Sequence, residues 1–188
     1  MLREYQERSG APEIRIIPRN WEEVTESELD GTYDLVIASY SRSMPEIEGA
    51  LRKMDAASRG RTYLFWFLTQ PPRTLAIQDL WKPIHGETFV PEPMADLLWQ
   101  VLYATGIYAN LVVELGSPPH VYASLDEAVS DFRSRLSCTC WEHDELIRSY
   151  LKSRLRPEVT GFLFGKGSLS ATIWWKKGEI TLTGSRVD

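Results

Sequence analysis

Residues 39–42 (Ser-Tyr-Ser-Arg) form a short polar turn between an apolar run and a helix start. In an open α/β sheet that place, at the carboxyl end of a strand, is the usual binding crevice. His85 lies four residues after Trp81, and an imidazole there can act as a general base near neutral pH. The plainer reading of the same pair has Trp81 filling a gap against the sheet while His85 faces water. Cys138, Cys140 and His143 are spaced CxCxxH. A structural zinc site takes four ligands, and His85 and His120 lie far away in sequence, so the two thiols read as reduced packing residues with no metal and no redox role.

The elements that must position these groups are readable around them. Residues 34–38 (DLVIA) have the composition of a parallel strand covered on both faces. Ser43 and Glu46 stand in capping-box spacing with Pro45 in the first turn, and Ile47, Ala50, Leu51 and Met54 then give one apolar stripe. Gly60 is expected to close that helix, and residues 61–68 (RTYLFWFL) read as a second strand. Strand, helix and strand of this length make a right-handed parallel crossover.

Further along, Met94, Leu97, Leu98, Val101 and Leu102 mark a helix over 93–104 that Gly106 ends, and residues 108–115 read as a strand. Ser124 and Glu127 form another capping box, and a second helix is expected over 142–154. Residues 169–176 alternate and should pair antiparallel with the 108–115 strand, with Trp174 and Trp175 as packing residues. The glycines of 161–167 (GFLFGKG) read as a flexible loop, and the role of residues 178–188 stays open between an extra strand and a tail.

The chain has 188 residues, 43% of them hydrophobic, which suits a single domain with one sizeable core. Within it, 70–92 reads as a lid segment broken at Pro83, Gly86 and Pro91, and 124–156 as a helical insertion. A net charge of -5 with scattered basic residues argues against nucleic acid as the main partner. No apolar run reaches the ~20 residues a bilayer span needs, and the first residues lack a signal-peptide core. The expected location is the cytoplasm, without membrane attachment.

The unit over 33–68 resembles the middle of the class I S-adenosylmethionine-dependent methyltransferase fold: its fourth strand, the following helix and its fifth strand. Tyr33, the run 34–39, Pro45, Glu46, Leu51, Met54, Gly60 and the run 62–67 carry that resemblance. Residues 13–21 (EIRIIPRNW) are similar to the family's third strand and the acidic-aromatic pair beside the adenine, with Asn20 where the family often has Asp and Trp21 as the aromatic neighbour. Residues 93–104 and 108–115 look like the fifth helix and sixth strand.

The resemblance implies an incomplete Rossmann-like α/β sheet, mostly parallel with an antiparallel last strand and helices on both faces. It implies S-adenosyl-L-methionine as cofactor, with Asn20 and Trp21 bordering the adenine, Ser39 and Tyr40 near the methionine part, and Tyr40 and His85 orienting a small-molecule substrate. The family's glycine-rich turn and ribose-holding acidic residue have no counterpart in these residues, and the chain opens on what looks like the helix after the second strand. Without the first crossover, the 14–17 strand and one edge of the 33–39 strand lose their neighbours. A repaired sheet, a homodimer through the exposed edge, or strands from another polypeptide are the expected remedies. Two functions follow: a methyltransferase, or an N-terminally truncated form of one, acting by direct displacement at the sulfonium methyl; or a non-catalytic methyltransferase-like interaction and oligomerisation domain.

Overall fold

The strand, helix and strand read over 33–68 organise one half of the molecule. In the computed structural model, which describes residues 15–29, 32–41, 46–138 and 141–178, β1 (Tyr33–Ser39) leads through α1 (Ile47–Ala57) to β2 (Ser58–Phe67). β1 and β2 pair in parallel from Leu35 opposite Arg61 to Ser39 opposite Phe65. The α1 stripe is buried at Ala50, Leu51, Met54 and Ala57, as its spacing predicts. Ser43 and Pro45 of the expected cap lie outside the described residues, and Glu46 at the N-cap makes no side-chain capping bond. Gly60 does not end α1. It lies inside β2, where a Cβ would stand 2.2 Å from the Asp34 carbonyl oxygen, so close strand approach demands glycine.

Four strands make the larger sheet in the order β1, β2, β7 (Leu169–Lys176) and β3 (Asn110–Leu115). β7 runs antiparallel to both neighbours, with Trp174 opposite Tyr63 on one side and Asn110 on the other. The sheet is therefore mixed, and the expectation of a mostly parallel one is corrected. The reason is where the chain enters: the Leu68 and Thr69 amides both donate to the Leu169 carbonyl, so β7 starts beside the carboxyl end of β2 and must run back along it.

Helices on both faces were expected, and that also needs correction. α1 and α3 (Ala95–Ala104) pack against Leu64, Trp66, Ala171, Ile173 and Trp175, forming one core on one face. Strand alternation turns Leu35, Ile37, Tyr63, Phe65, Trp174 and Val112 to the other face. Leu35 and Ile37 remain 50% and 56% exposed there, so β1 is an edge strand covered on one side among the described residues. The expected third strand is not formed over 15–17, and residue 14 lies outside the described residues. Pro18 removes a donor, while Arg15 and Arg19 are drawn to Glu28 on the turn Glu26–Glu28.

The remaining elements build a second core. α2 (Pro72–His85), β4 (His120–Tyr122), α4 (Leu125–Arg135), α5 (Asp144–Lys152), β5 (Leu155–Glu158) and β6 (Gly161–Phe164) enclose Leu80, Tyr122, Phe132, Ile147 and Phe164. β6 pairs antiparallel with both β4 and β5. The glycine-rich stretch read as a loop is thus largely a central strand, because Phe162 and Phe164 are flanked by partners on either side. Most of the segment read as a lid is α2, with Ala76 and Leu80 buried and Pro83 confined to its last turn. Among the described residues no helix is long and apolar enough to cross a membrane.

Candidate functional site

Ser39 ends β1, and Tyr40 follows it with a left-handed backbone, φ 47°. That conformation is uncommon for a bulky side chain and persists only where contacts over-determine it. Three contacts do so here. The Tyr40 amide donates to the Phe65 carbonyl at 3.0 Å, its ring lies 4.7 Å from that of Phe67, and its hydroxyl is 2.9 Å from Ser170 Oγ. The side chain thereby crosses β2 to reach β7. Ser39 is exposed on the face shared with Ile37.

Asn20 and Trp21 sit on a different element. Trp21 opens the turn Trp21–Glu23 and rests on α1, its indole N–H donating to the Ala50 carbonyl at 3.4 Å. The Lys53 ammonium stands 5.0 Å from the centre of the same ring system. It also donates to the carbonyls of Trp21, Glu22 and Val24 at 2.6, 3.2 and 2.7 Å, which fixes the turn. The Asn20 amide donates to Glu23 Oε1 at 3.3 Å. So the structure joins Ser39 to Tyr40 at one strand end and Asn20 to Trp21 on α1.

His85 belongs to neither group. It ends α2, exposed, with Nε2 2.8 Å from the Leu136 carbonyl and its ring 4.2 Å from that of Trp81. Trp81 packs against the second core and meets Phe89 edge-on. Cys138 is half-buried beside that core with its thiol toward the Leu136 carbonyl, while Cys140 lies outside the described residues. Among the described residues no group of three or more His, Cys, Asp and Glu converges as a metal site would require.

Ser170, Phe67 and Lys53 were not singled out in the sequence. Only the alternation of β7, which turns Ser170 away from the buried Ala171, offers a signal for the first, and nothing local ties it to Tyr40. A bound nucleoside cofactor of the kind the resemblance implies would need free polar groups and backbone amides around its phosphate-free sulfonium tail and ribose. Here Glu23 engages the Asn20 amide and Lys53 stands over the Trp21 ring. These residues do not by themselves fit the whole group.

No protein-family model matches the chain, and no curated protein matches it. The local electrostatics are those of exposed surface ties. Arg59 grips Asp34 with two bonds of 2.8 and 2.9 Å at the start of β1, and its hydrogen bonds and charge hold the Asp34 carboxyl below the usual range. At the same end of the sheet, on β7, Trp175 donates its indole N–H to Asp55 at 2.8 Å.

Proposed function

We propose that this chain is a class I methyltransferase-like domain that weakly engages S-adenosyl-L-methionine, and with it a small-molecule acceptor, through the Trp21 turn and the Ser39–Tyr40 strand end. One observation carries the reading: the larger sheet joins a parallel β1–α1–β2 crossover, with Ser39 and Tyr40 at its carboxyl end, to an antiparallel last strand beside β3. The elements expected over 33–68, 93–104, 108–115 and 169–176 all form, which supports the reading, while the expected strand before them does not form over 15–17. Fold alone does not assign chemistry, so the cofactor is the part to test.

The test is an amide NMR titration of the whole chain with S-adenosylhomocysteine. The expected result is saturable movement of the Trp21 indole N–H and of the Ser39 and Tyr40 amides, with Kd of about 0.1–1 mM, the weak end of specific binding. Trp21→Ala should remove it. Static spectra up to millimolar ligand would overturn the cofactor reading.

A second reading, an interaction and oligomerisation domain, is favoured by the outer β1 edge, which pairs with no strand among the described residues, beside exposed Leu35 and Ile37. An unpaired edge with apolar neighbours invites a second copy to pair with it. Sedimentation velocity should then show a dimer that Ile37→Lys converts to monomer, and a monomer at all concentrations would sink this reading.

A further inference from the structure

The second core carries a cleft of about 480 Å³ that the methyltransferase reading does not use. It opens between the start of α2, the end of α5 and the turn after β6. The floor is apolar, made by Pro72, Leu75 and Phe164. The rim is cationic: Arg154, Arg156 and Lys166 surround a single carboxylate, Asp79. In a chain of net charge -5, that concentrates positive potential in one place.

Two of the three cations are held in position from within the protein. Arg154 lies 3.8 Å over the Tyr150 ring and donates to Asp79 at 3.2 Å, while the Tyr150 hydroxyl donates to the same carboxylate at 2.7 Å. Burial, and then this bond to Asp79, keep the Tyr150 hydroxyl protonated well beyond the ordinary tyrosine range. Asp79 is thus already engaged twice. Arg156 is fixed by donating to the Gly165 carbonyl at 3.1 Å, and among the described residues neither Arg156 nor Lys166 forms an ion pair. Gly165 makes the wall: with φ 77° and only 2.4 Å between a built Cβ and Pro72, no other residue lets the turn approach α2 so closely.

We propose that this cleft binds an organic anion, its carboxylate or phosphate head on Arg156 and Lys166 and its apolar body over Leu75 and Phe164. A guanidinium fork beside an ammonium suits either head, and the volume lies in the ~300–1,000 Å³ range of small-ligand sites. The inference stands on the second core alone and survives failure of the methyltransferase reading.

The test is an amide NMR titration of the full chain with octanoate, octyl phosphate, octanol and inorganic phosphate. One or both amphiphilic anions should shift Gly165 and Lys166 saturably, the tighter one identifying the head group. Octanol and inorganic phosphate should bind at least about tenfold more weakly, the loss expected when a charge-assisted bond or the apolar contact is missing. Arg156→Ala with Lys166→Ala should weaken the anion by a similar factor. Leu75→Glu, at an exposed position that tolerates charge, should abolish binding while leaving Tm unchanged. Octanol binding as tightly would leave only an apolar groove, inorganic phosphate binding as tightly would leave an adventitious ion only, and no saturable shift below about 10 mM would leave no site. Each of these three results overturns the proposal.

Discussion

The Tyr40 hydroxyl lies 2.9 Å from Ser170 Oγ, tying the residue that follows β1 to the third strand of the sheet across the whole width of β2. Ser170 is buried, so its hydroxyl has little water to fall back on. Tyr40→Phe and Ser170→Ala should each destabilise the fold by about 0.5–1.5 kcal/mol, and the double variant should cost less than their sum. Urea unfolding of the four proteins gives the coupling. Strict additivity would mean that the bond contributes nothing.

Thr62 is fully buried on the α1–α3 face of β2, and its Oγ1 has no hydrogen-bond partner among the described residues. A buried hydroxyl without a partner opposes folding, and a methyl in its place meets the same apolar neighbours. Thr62→Val should therefore stabilise the protein by roughly 1 kcal/mol, seen as about 2–4 °C in Tm for a chain of this size. A lower Tm would show that the hydroxyl finds a partner.

What the sequence conveys about this fold follows local physics. The α1 stripe, the Gly106 end of α3 with φ 82°, and the Ser124 cap, whose Oγ accepts from Glu127 N at 3.1 Å, were all readable from neighbouring residues. Which strand lies at the edge was not. The run 35–38 is apolar throughout, yet Val36 and Ala38 face the core while Leu35 and Ile37 face out, because composition does not tell a central strand from an edge one. β4, β5 and β6 have three or four residues each and are interrupted by Pro157 and Gly161, so they depend on α2 and α4 for burial and leave no local pattern. At the site, Tyr40 was placed by the end of its strand. Its partner Ser170 is 130 residues away, and only the finished sheet brings them together.

Asp131 is bonded to the second core through the buried Tyr122 hydroxyl. Burial alone would raise its carboxyl, but bonds from Arg135 and from the buried Tyr122 hydroxyl at 2.6 Å outweigh this, and it titrates below its ordinary value. A depressed carboxyl contributes stability that is present above its unfolded pKa of about 3.9 and is lost as pH falls through the folded value. Asp131→Asn should cost stability at neutral pH and flatten the decline below about pH 4. Urea midpoints measured between neutral and acid pH check this. Parallel curves for the two proteins would place the acid sensitivity elsewhere, for example at exposed Glu28, whose carboxyl is held down to about 2 by Thr25 and Arg19.

Gly60 and Gly49 turn one chemical change into opposite outcomes. A Cβ at Gly60 would stand 2.2 Å from the Asp34 oxygen and 3.0 Å from its carbon, both backbone atoms that cannot rotate away. The β1–β2 register is already irregular between Tyr33 and Leu35, and Arg59 clamps Asp34 from the adjacent position, so the strands cannot separate without losing those two bonds. On the other side the Gly60 carbonyl accepts from the Lys177 amide at 3.0 Å, which ties the same residue to the end of β7. Gly60→Ala should therefore cost about 1–3 kcal/mol, as overpacking does, and release β1 first, since among the described residues that strand has one neighbour. Gly49 lies in α1 with nothing within 4 Å of a built Cβ. Gly49→Ala should stabilise by about 0.5–1 kcal/mol through the lower entropy of its unfolded chain. Hydrogen exchange separates the mechanisms: in Gly60→Ala the Val36 to Ala38 amides should lose protection while those of Leu64 and Ile173 keep theirs. Equal Tm values for the two variants, or uniform loss across the sheet, would show that the β1 contact is not where the strain falls.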